Sequence, residues 1–268
     1  MTGSGYISLQ YWEVAASSLL LLVTGALALA FQAGLARSLA WVALRMVAQL
    51  LLVGLVLKFI FTTTSPWWTF AAAAVMASMA TREVMRRQQH ELAGSWRWLP
   101  APSALLVVGT LALLYAQLVI LRPGPWHSPR QLLPIFGMIL GNSMTGITLG
   151  LNALTETFIR ERSAIEARLL LGMTRWQAVR PFAAKSLRTA LTPIMNAMAA
   201  AGIISLPGMM TGQILAGAPP VEAVKYQLMI MFMIAGVVGL ASLTAMTITV
   251  FRLTDERHRL RPDRFAAQ

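Results

Sequence analysis

Cysteine is absent from the 268-residue chain, and charge is scarce: Asp, Glu, Lys and Arg make up 12% of residues, about half the share of an ordinary soluble domain. Without a thiol there is no disulfide, thiolate metal ligand or cysteine nucleophile. Acid is the scarcer sign, with 10 Asp and Glu against 22 Lys and Arg. No Gly-x-x-x-x-Gly-Lys-Ser/Thr run is present to cradle a nucleotide's phosphates, no His-Glu-x-x-His pair to hold zinc, and no paired carboxylates for acid and base work. The chain is therefore read as non-enzymatic, with no cofactor of its own. Met1 to Tyr11 carries no Lys or Arg ahead of the first apolar run, so no cleavable signal peptide is expected there.

What remains is apolar. Hydrophobic residues make up 57% of the chain and the mean hydropathy is +0.64. Long charge-free runs of this kind imply an all-α, multi-pass membrane protein and exclude a soluble enzyme or DNA-binding domain. The basic residues sit between the apolar runs, so no nucleic-acid partner is expected; membrane lipids are.

A span needs roughly 17 to 25 mainly apolar residues. Seven are expected, near residues 12–31, 38–61, 67–81, 104–121, 133–154, 187–217 and 224–252. Basic residues are retained on the cytoplasmic side of a membrane. One set of alternate connections holds 17 of the 22 Lys and Arg and the other holds 3, while Arg45 and Lys58 lie within the second span. The expected topology therefore has the N-terminus outside and the C-terminal tail in the cytoplasm. Trp12, Trp67, Trp68, Trp96, Trp98 and Trp126 fall at span ends, where an amphipathic ring suits the headgroup layer. Pro66 and the run Arg122-Pro123-Gly124-Pro125 mark external turns. The sixth segment is longer than one span needs and contains Pro193, Gly202 and Ser205-Leu206-Pro207-Gly208, so a broken helix near 205–208 is expected beside a transport path. A bend at the external end of a plain helix is the alternative.

The longest connection, residues 155–186, is patterned. Phe158, Ile165, Leu169, Met173 and Trp176 recur at helical intervals with charges on the other faces. Gly172 can end that helix in the left-handed conformation, Thr174 with Gln177 forms a capping box that starts another, and Pro181 is expected to kink or end the second piece. Such a basic amphipathic element either lies in the membrane interface or fits a groove on a partner protein.

Within it, Glu166-Ala167-Arg168-Leu169-Leu170-Leu171-Gly172 resembles the EAA coupling motif of ABC-transporter permeases, Glu-Ala-Ala, three residues, then Gly, with Arg168 in place of the second Ala. Gly137-Met138-Ile139-Leu140-Gly141-Asn142-Ser143-Met144 and Ser205-Leu206-Pro207-Gly208-Met209-Met210-Thr211-Gly212 resemble two stretches of the FetB-like iron export permeases, a family that includes plant aluminium-tolerance relatives. Ala216-Gly217, Pro220, Glu222-Ala223, Tyr226-Gln227 and, in the second span, Arg45, Gln49, Gly54 and Lys58 extend the likeness from about Arg37 to Phe251. The resemblance implies a permease subunit in a cell inner membrane, with ATP bound by a separate ABC ATPase subunit. The permease would act as a homodimer and export iron or a related metal. Glu166, Ala167, Gly172 and Thr174 would then form the ATPase-coupling element.

Candidates for the translocation path are Arg45, Gln49, Asn142, Met144, Asn196, Pro207, Met209 and Met210. Arg45 is the basic residue placed well inside a span, with Gln49 one turn on, and it is read either as snorkelling or as a gating charge. Met138, Met144, Met209 and Met210 offer soft sulfur, although methionine is also ordinary filler in an apolar bundle. The glycines Gly137, Gly141, Gly146 and Gly150 recur at spacings of four and five, and Gly137-x-x-x-Gly141 is expected to permit close helix contact. No metal ligand set can be named. The family carries Asp and Lys where this chain has Asn196 and Ala199, which leaves room for a chelate, another metal or a small polar solute as cargo. A seven-span receptor or structural subunit outside the ABC class is the remaining alternative.

Overall fold

The computed structural model describes residues 10–31, 34–62, 65–90, 92–94, 96, 99–115 and 129–265. The end of the expected fourth span beyond Tyr115, the external turn at residues 122–125, and Trp98, Trp126 and His127 lie outside the described residues. Among the described residues the structure is helical and has no strand, only isolated bridges. The helices are α1 (Tyr11–Ser17), α2 (Leu19–Ala30), α3 (Ala36–Thr62), α4 (Pro66–Arg86), α5 (Pro100–Tyr115), α6 (Pro129–Arg160), α7 (Arg162–Leu170), α8 (Arg175–Ala200), α9 (Gly208–Leu215) and α10 (Pro220–Leu253).

Among the described residues, four helices are long and apolar enough to cross a membrane: Trp12–Ala30, which joins α1 to α2, then α3, α6 and α10. The first is barely interrupted, because Ser18 keeps a right-handed helical backbone at φ −68°, ψ −15° and its hydroxyl donates to Ala15 O at 2.7 Å. α5 is apolar but shorter over its described length. α4 and α8 do not meet the same measure, since each carries basic residues along one end.

The chain divides into two compact units: residues 1–65 with 212–218, and residues 66–211 with 219–268. In the first, α2 packs against α3, and the apolar windows of both are unburied. In the second, α6 and α10 form the centre: α6 touches α4, α5, α8 and α10, and α10 touches α5 and α8. Ile139, Ile147, Leu154 and Val250 are buried there.

Lipid tails are as apolar as leucine, so burial alone gives membrane helices little reason to associate; close van der Waals approach does. That approach occurs at Gly146 and Gly150. A Cβ at Gly146 would come within 2.5 Å of Val238 Cγ1 and 3.3 Å of Ala190 O, and one at Gly150 within 3.0 Å of Ala190 Cβ. The tight glycine pair on α6 is thus one step further along the helix than the pair expected from sequence. Gly137 faces Met76 Cε at 3.0 Å, but Gly141 has open space.

Two boundaries differ from the expected ones. Residues 155–160 continue α6, and α8 runs unbroken from Arg175 through both Pro181 and Pro193, so the second half of the connection and the start of the sixth segment are one helix. Pro181 is tolerated because Ala178 and Val179 before it and Ser186 after it are all buried, which holds both sides of the missing hydrogen bond against the bundle. The interruption comes instead at residues 201–207, where Gly202 takes φ +83° and its N–H donates to Ser205 O at 2.9 Å. It starts earlier than 205–208 because Gly202, not Pro207, supplies the conformation that leaves the helix.

The tail folds back under α10. Arg261 N donates to Leu253 O at 2.9 Å, Ala93 N to Arg264 O at 2.8 Å, and Arg264 Nη1 to Arg252 O at 2.6 Å. Hydrogen bonds from the Arg259 backbone and side chain hold Asp255 below the usual carboxylate range, and the Arg261 guanidinium does the same for Asp263.

Two predictions follow from this packing. Gly146→Val forces its new carbon into Val238 and should destabilise the purified chain by about 1–3 kcal/mol, read as a lowered Tm in detergent, whereas Gly141→Ala should leave Tm unchanged or slightly raised. A Gly146→Val protein as stable as the parent refutes the contact. For the tail, lowered folded-state pKa values mean that the carboxylates stabilise it above about pH 4, the unfolded carboxylate range. That contribution is lost as pH falls through the folded values. Protection of the 255–264 amides from hydrogen exchange should therefore hold at neutral pH and fall below about pH 4, ahead of that of α6 and α10.

Candidate functional site

The elbow between α6 and α8 is built from local sequence. Glu161 interrupts the helix for one residue at φ −99°, ψ 22°, and α7 then runs to Leu170. Ile165 anchors α7 and is fully buried. Leu171 caps α7, and the chain turns at Gly172 with φ +84°. Gly172 N donates to Leu169 O at 3.0 Å and Met173 N to Arg168 O at 3.2 Å, the paired bonds of a Schellman motif. Thr174 then caps α8: its Oγ1 accepts from Gln177 N at 3.4 Å, while the side-chain Oε1 of Gln177 accepts from Thr174 N at 2.9 Å. Helix, turn and helix follow the pattern written in the residues.

Two side chains stiffen this elbow. Arg162 Nε donates to Glu166 Oε1 at 2.7 Å, one turn apart on α7. Arg168, the departure from the EAA pattern, places its guanidinium 5.7 Å from the Phe182 ring centre and so ties α7 to α8 by a cation–π contact. Ala167 and Thr174 are exposed, and Leu170 and Leu171 are 88% and 79% exposed. An apolar tip on a rigid polar bend is a surface that water does not favour and that a groove on a partner can cover.

The membrane-side candidates are distributed differently. Asn142 is exposed on α6, and its Nδ2 donates to Met138 O at 2.8 Å on its own helix. Asn196 is exposed on α8, and Met144 is half-buried on α6. Pro207 precedes α9, and its carbonyl accepts from Thr211 N at 3.0 Å and from Thr211 Oγ1 at 3.2 Å. Met209 and Met138 pack against one apolar cluster of Ile194, Ile230, Ile234 and Val238, so the structure brings these two methionines together as packing. Met210 is half-buried on α9. Arg45 and Gln49 lie one turn apart on α3, within the first unit.

Hydroxyls on the exposed side of α8 bond back to their own helix: Thr192 Oγ1 donates to Arg188 O at 2.8 Å and Thr189 Oγ1 to Lys185 O at 3.3 Å. With Asn196 they make a neutral polar stripe at helical spacing. Among the described residues no group of three or more His, Asp or Glu stands close enough to hold a metal ion.

Sequence reasoning missed two contacts. Asn152 Nδ2 donates to Arg87 O and its Oδ1 accepts from Gln89 N, both at 3.0 Å, so it clamps the end of α4 to α6. Nothing local to Asn152 announces partners 65 and 63 residues away. The Arg168–Phe182 contact did leave a signal, the arginine standing where the motif has alanine.

Comparison with known proteins gives a consistent answer. The model of the Uncharacterised protein family (UPF0014) matches residues 11–254. A UPF0014 membrane protein of Synechocystis sp. is 35% identical over 222 residues, covering 82% of this chain and 83% of its own. The Probable iron export permease protein FetB of Escherichia coli is 32% identical over 226 residues, covering 84% and 85%. The UPF0014 membrane protein STAR2 of Oryza sativa subsp. japonica is 34% identical over 223 residues, covering 82% and 76%. No solved structure matches the chain. With a family model spanning nearly all of its helices and relatives aligned across most of both chains, this protein belongs to the UPF0014 family of membrane proteins.

Proposed function

We propose that the protein is the permease subunit of an ABC transporter that exports iron or a related metal from the cytoplasm, driven by ATP hydrolysis in a separate ATPase subunit. The observation that carries this reading is the elbow: an EAA-like helix anchored by buried Ile165, ended by Gly172 and presenting exposed Leu170 and Leu171. The Escherichia coli relative, a probable iron export permease, supports both the permease role and the cargo. On this reading seven spans cross an inner membrane, formed by α1 with α2, α3, α4, α5, α6, α8 with α9, and α10. The N-terminus is outside, and the elbow and tail are cytoplasmic. Two copies of the permease join two ATPase subunits, and closure of the ATPases moves the elbow.

The neutral stripe on α8 bears on the cargo's form. Amide and hydroxyl oxygens without a carboxylate suit a hydrated or chelated metal better than a bare ion, which prefers harder or more basic ligands. A chelate or a small polar solute is therefore the second reading.

Two measurements test these proposals. Replacing both Leu170 and Leu171 with Asp should abolish co-purification of the ATPase while shifting Tm little, because both side chains are already exposed. Gly172→Ala should weaken coupling with a stability cost of about 1–2 kcal/mol for the left-handed backbone. An ATPase that stays bound to the double variant sinks the docking role. For the cargo, cells lacking the protein should accumulate iron when metals are assayed element by element. A fall in iron would indicate import, and a rise in another element would reassign the substrate.

A further inference from the structure

A cleft of about 770 Å³ opens where α10 meets the returning tail, lined by five arginines and two acids, Asp255 and Glu256. One pair within it is self-contained: Arg259 Nη2 lies 2.8 Å from Asp255 Oδ2, and the Arg259 backbone N–H also donates to Asp255. Among the described lining residues, four guanidiniums, those of Arg175, Arg252, Arg257 and Arg264, are left with Glu256 as the one further carboxylate, and Asp263 beside the cleft is bonded to Arg261.

Two of these are held in place by rings. The Arg252 guanidinium lies 4.7 Å from the Trp96 ring centre, and that of Arg175 lies 4.6 Å from Phe251. Arg252 Nε is buried and has no hydrogen-bond partner among the described residues. A buried donor on a cation costs stability until something accepts from it. Arg264 is fixed from below by its bonds to Arg252 O and Thr254 O. The cleft is thus a preformed, under-neutralised cationic site, suited to the doubly hydrogen-bonding oxygens of a phosphate group.

Its surroundings distinguish among phosphates. The cleft wall includes Ile248 and Phe251 from the last turns of α10, a helix long and apolar enough to cross a membrane. Phe251 packs edge-on to Trp176, with ring centres 5.3 Å apart. Trp176 in turn lines an apolar groove of about 430 Å³ between α8 and α10, walled by Ala183, Leu187, Leu243 and Met246. A charged cup adjoining an apolar furrow at the end of a membrane helix matches an amphiphile, not a free anion.

We infer that this cleft binds the phosphate headgroup of an anionic phospholipid, with an acyl chain laid in the α8–α10 groove. The site touches the elbow directly, since Arg175 is the first residue of α8 and its N–H donates to His258 Nδ1 of the tail at 3.3 Å. The assignment is independent of cargo, transport direction and ATPase.

The test uses the full chain in detergent, titrated with phosphatidylglycerol or phosphatidylcholine and read by native mass spectrometry. Phosphatidylglycerol should be retained and phosphatidylcholine not. Removing Arg252 and Arg257 together as glutamines should weaken phosphatidylglycerol retention roughly 25-fold, about fivefold per arginine. Arg257→Gln alone, at an exposed position, should give about fivefold without risk to the fold. Arg86→Gln, an exposed arginine on α4 outside the cleft, should change nothing. Equal retention of both lipids overturns the proposal, as does a Arg257→Gln result no different from Arg86→Gln. Displacement of phosphatidylglycerol by inorganic phosphate at the same concentration also overturns it, in favour of a soluble-anion site.

Discussion

Everything in the larger unit depends on how closely α6 approaches α8 and α10. The hydrocarbon of a bilayer offers no reward for hiding leucine, so the bundle needs contacts at shorter range than side chains normally permit. Gly146 and Gly150 provide them: with no Cβ on α6, Val238 and Ala190 fill the space one would occupy. The helices so joined are those that lead into and out of the elbow. α6 enters it at Arg160, and α8 leaves it at Arg175.

That arrangement makes the elbow the end of a rigid member. α8 is a single helix from Arg175 to Ala200, so a displacement at its first turn travels along its length to the interruption at residues 201–207. At 1.5 Å per residue, a helix of 26 residues is roughly 39 Å long, which on the permease reading would carry movement from one membrane face to near the other. A helix ended at Pro181 could not do this. The buried residues on both sides of that proline are what convert a local breaker into part of a strut. The interruption is equally specific, because Ile203 and Ile204 are 90% and 83% exposed beyond the left-handed Gly202. An apolar loop of this kind is at home in lipid or against protein, not in water.

The elbow was legible in the sequence because its determinants are neighbours. A glycine six residues after Glu166, and a threonine three before a glutamine, specify a left-handed cap and a capping box through short-range sterics and hydrogen bonds. Helical character and the long apolar runs were legible for the same reason. What could not be read were pairings across the fold. Asn152 has no local partner in the sequence, yet its amide is spent on the end of α4. Gly137 and Gly141 form the same spacing as Gly146 and Gly150, and only the position of α8 and α10 decides which pair is tight. Pro181 shows a third limit, because propensity describes an isolated helix and tertiary packing overrules it.

The outer faces of α8 and α10 then place the transport path, on the permease reading. α10 shows Leu228, Phe232, Leu240 and Leu243 outward, a face that hydrocarbon solvates without cost. α8 shows Thr189, Thr192 and Asn196. The two threonine hydroxyls satisfy their donors on their own backbone, but the Asn196 amide and the oxygen lone pairs of the stripe would still be poorly solvated by acyl chains. Lipid therefore selects α10 as the outward wall, while α8 needs water or protein opposite it. On the same reading a water-filled path bounded by a second copy would supply both. The helix driven by the elbow would then be the one that lines the route, so that movement and access reside in a single element.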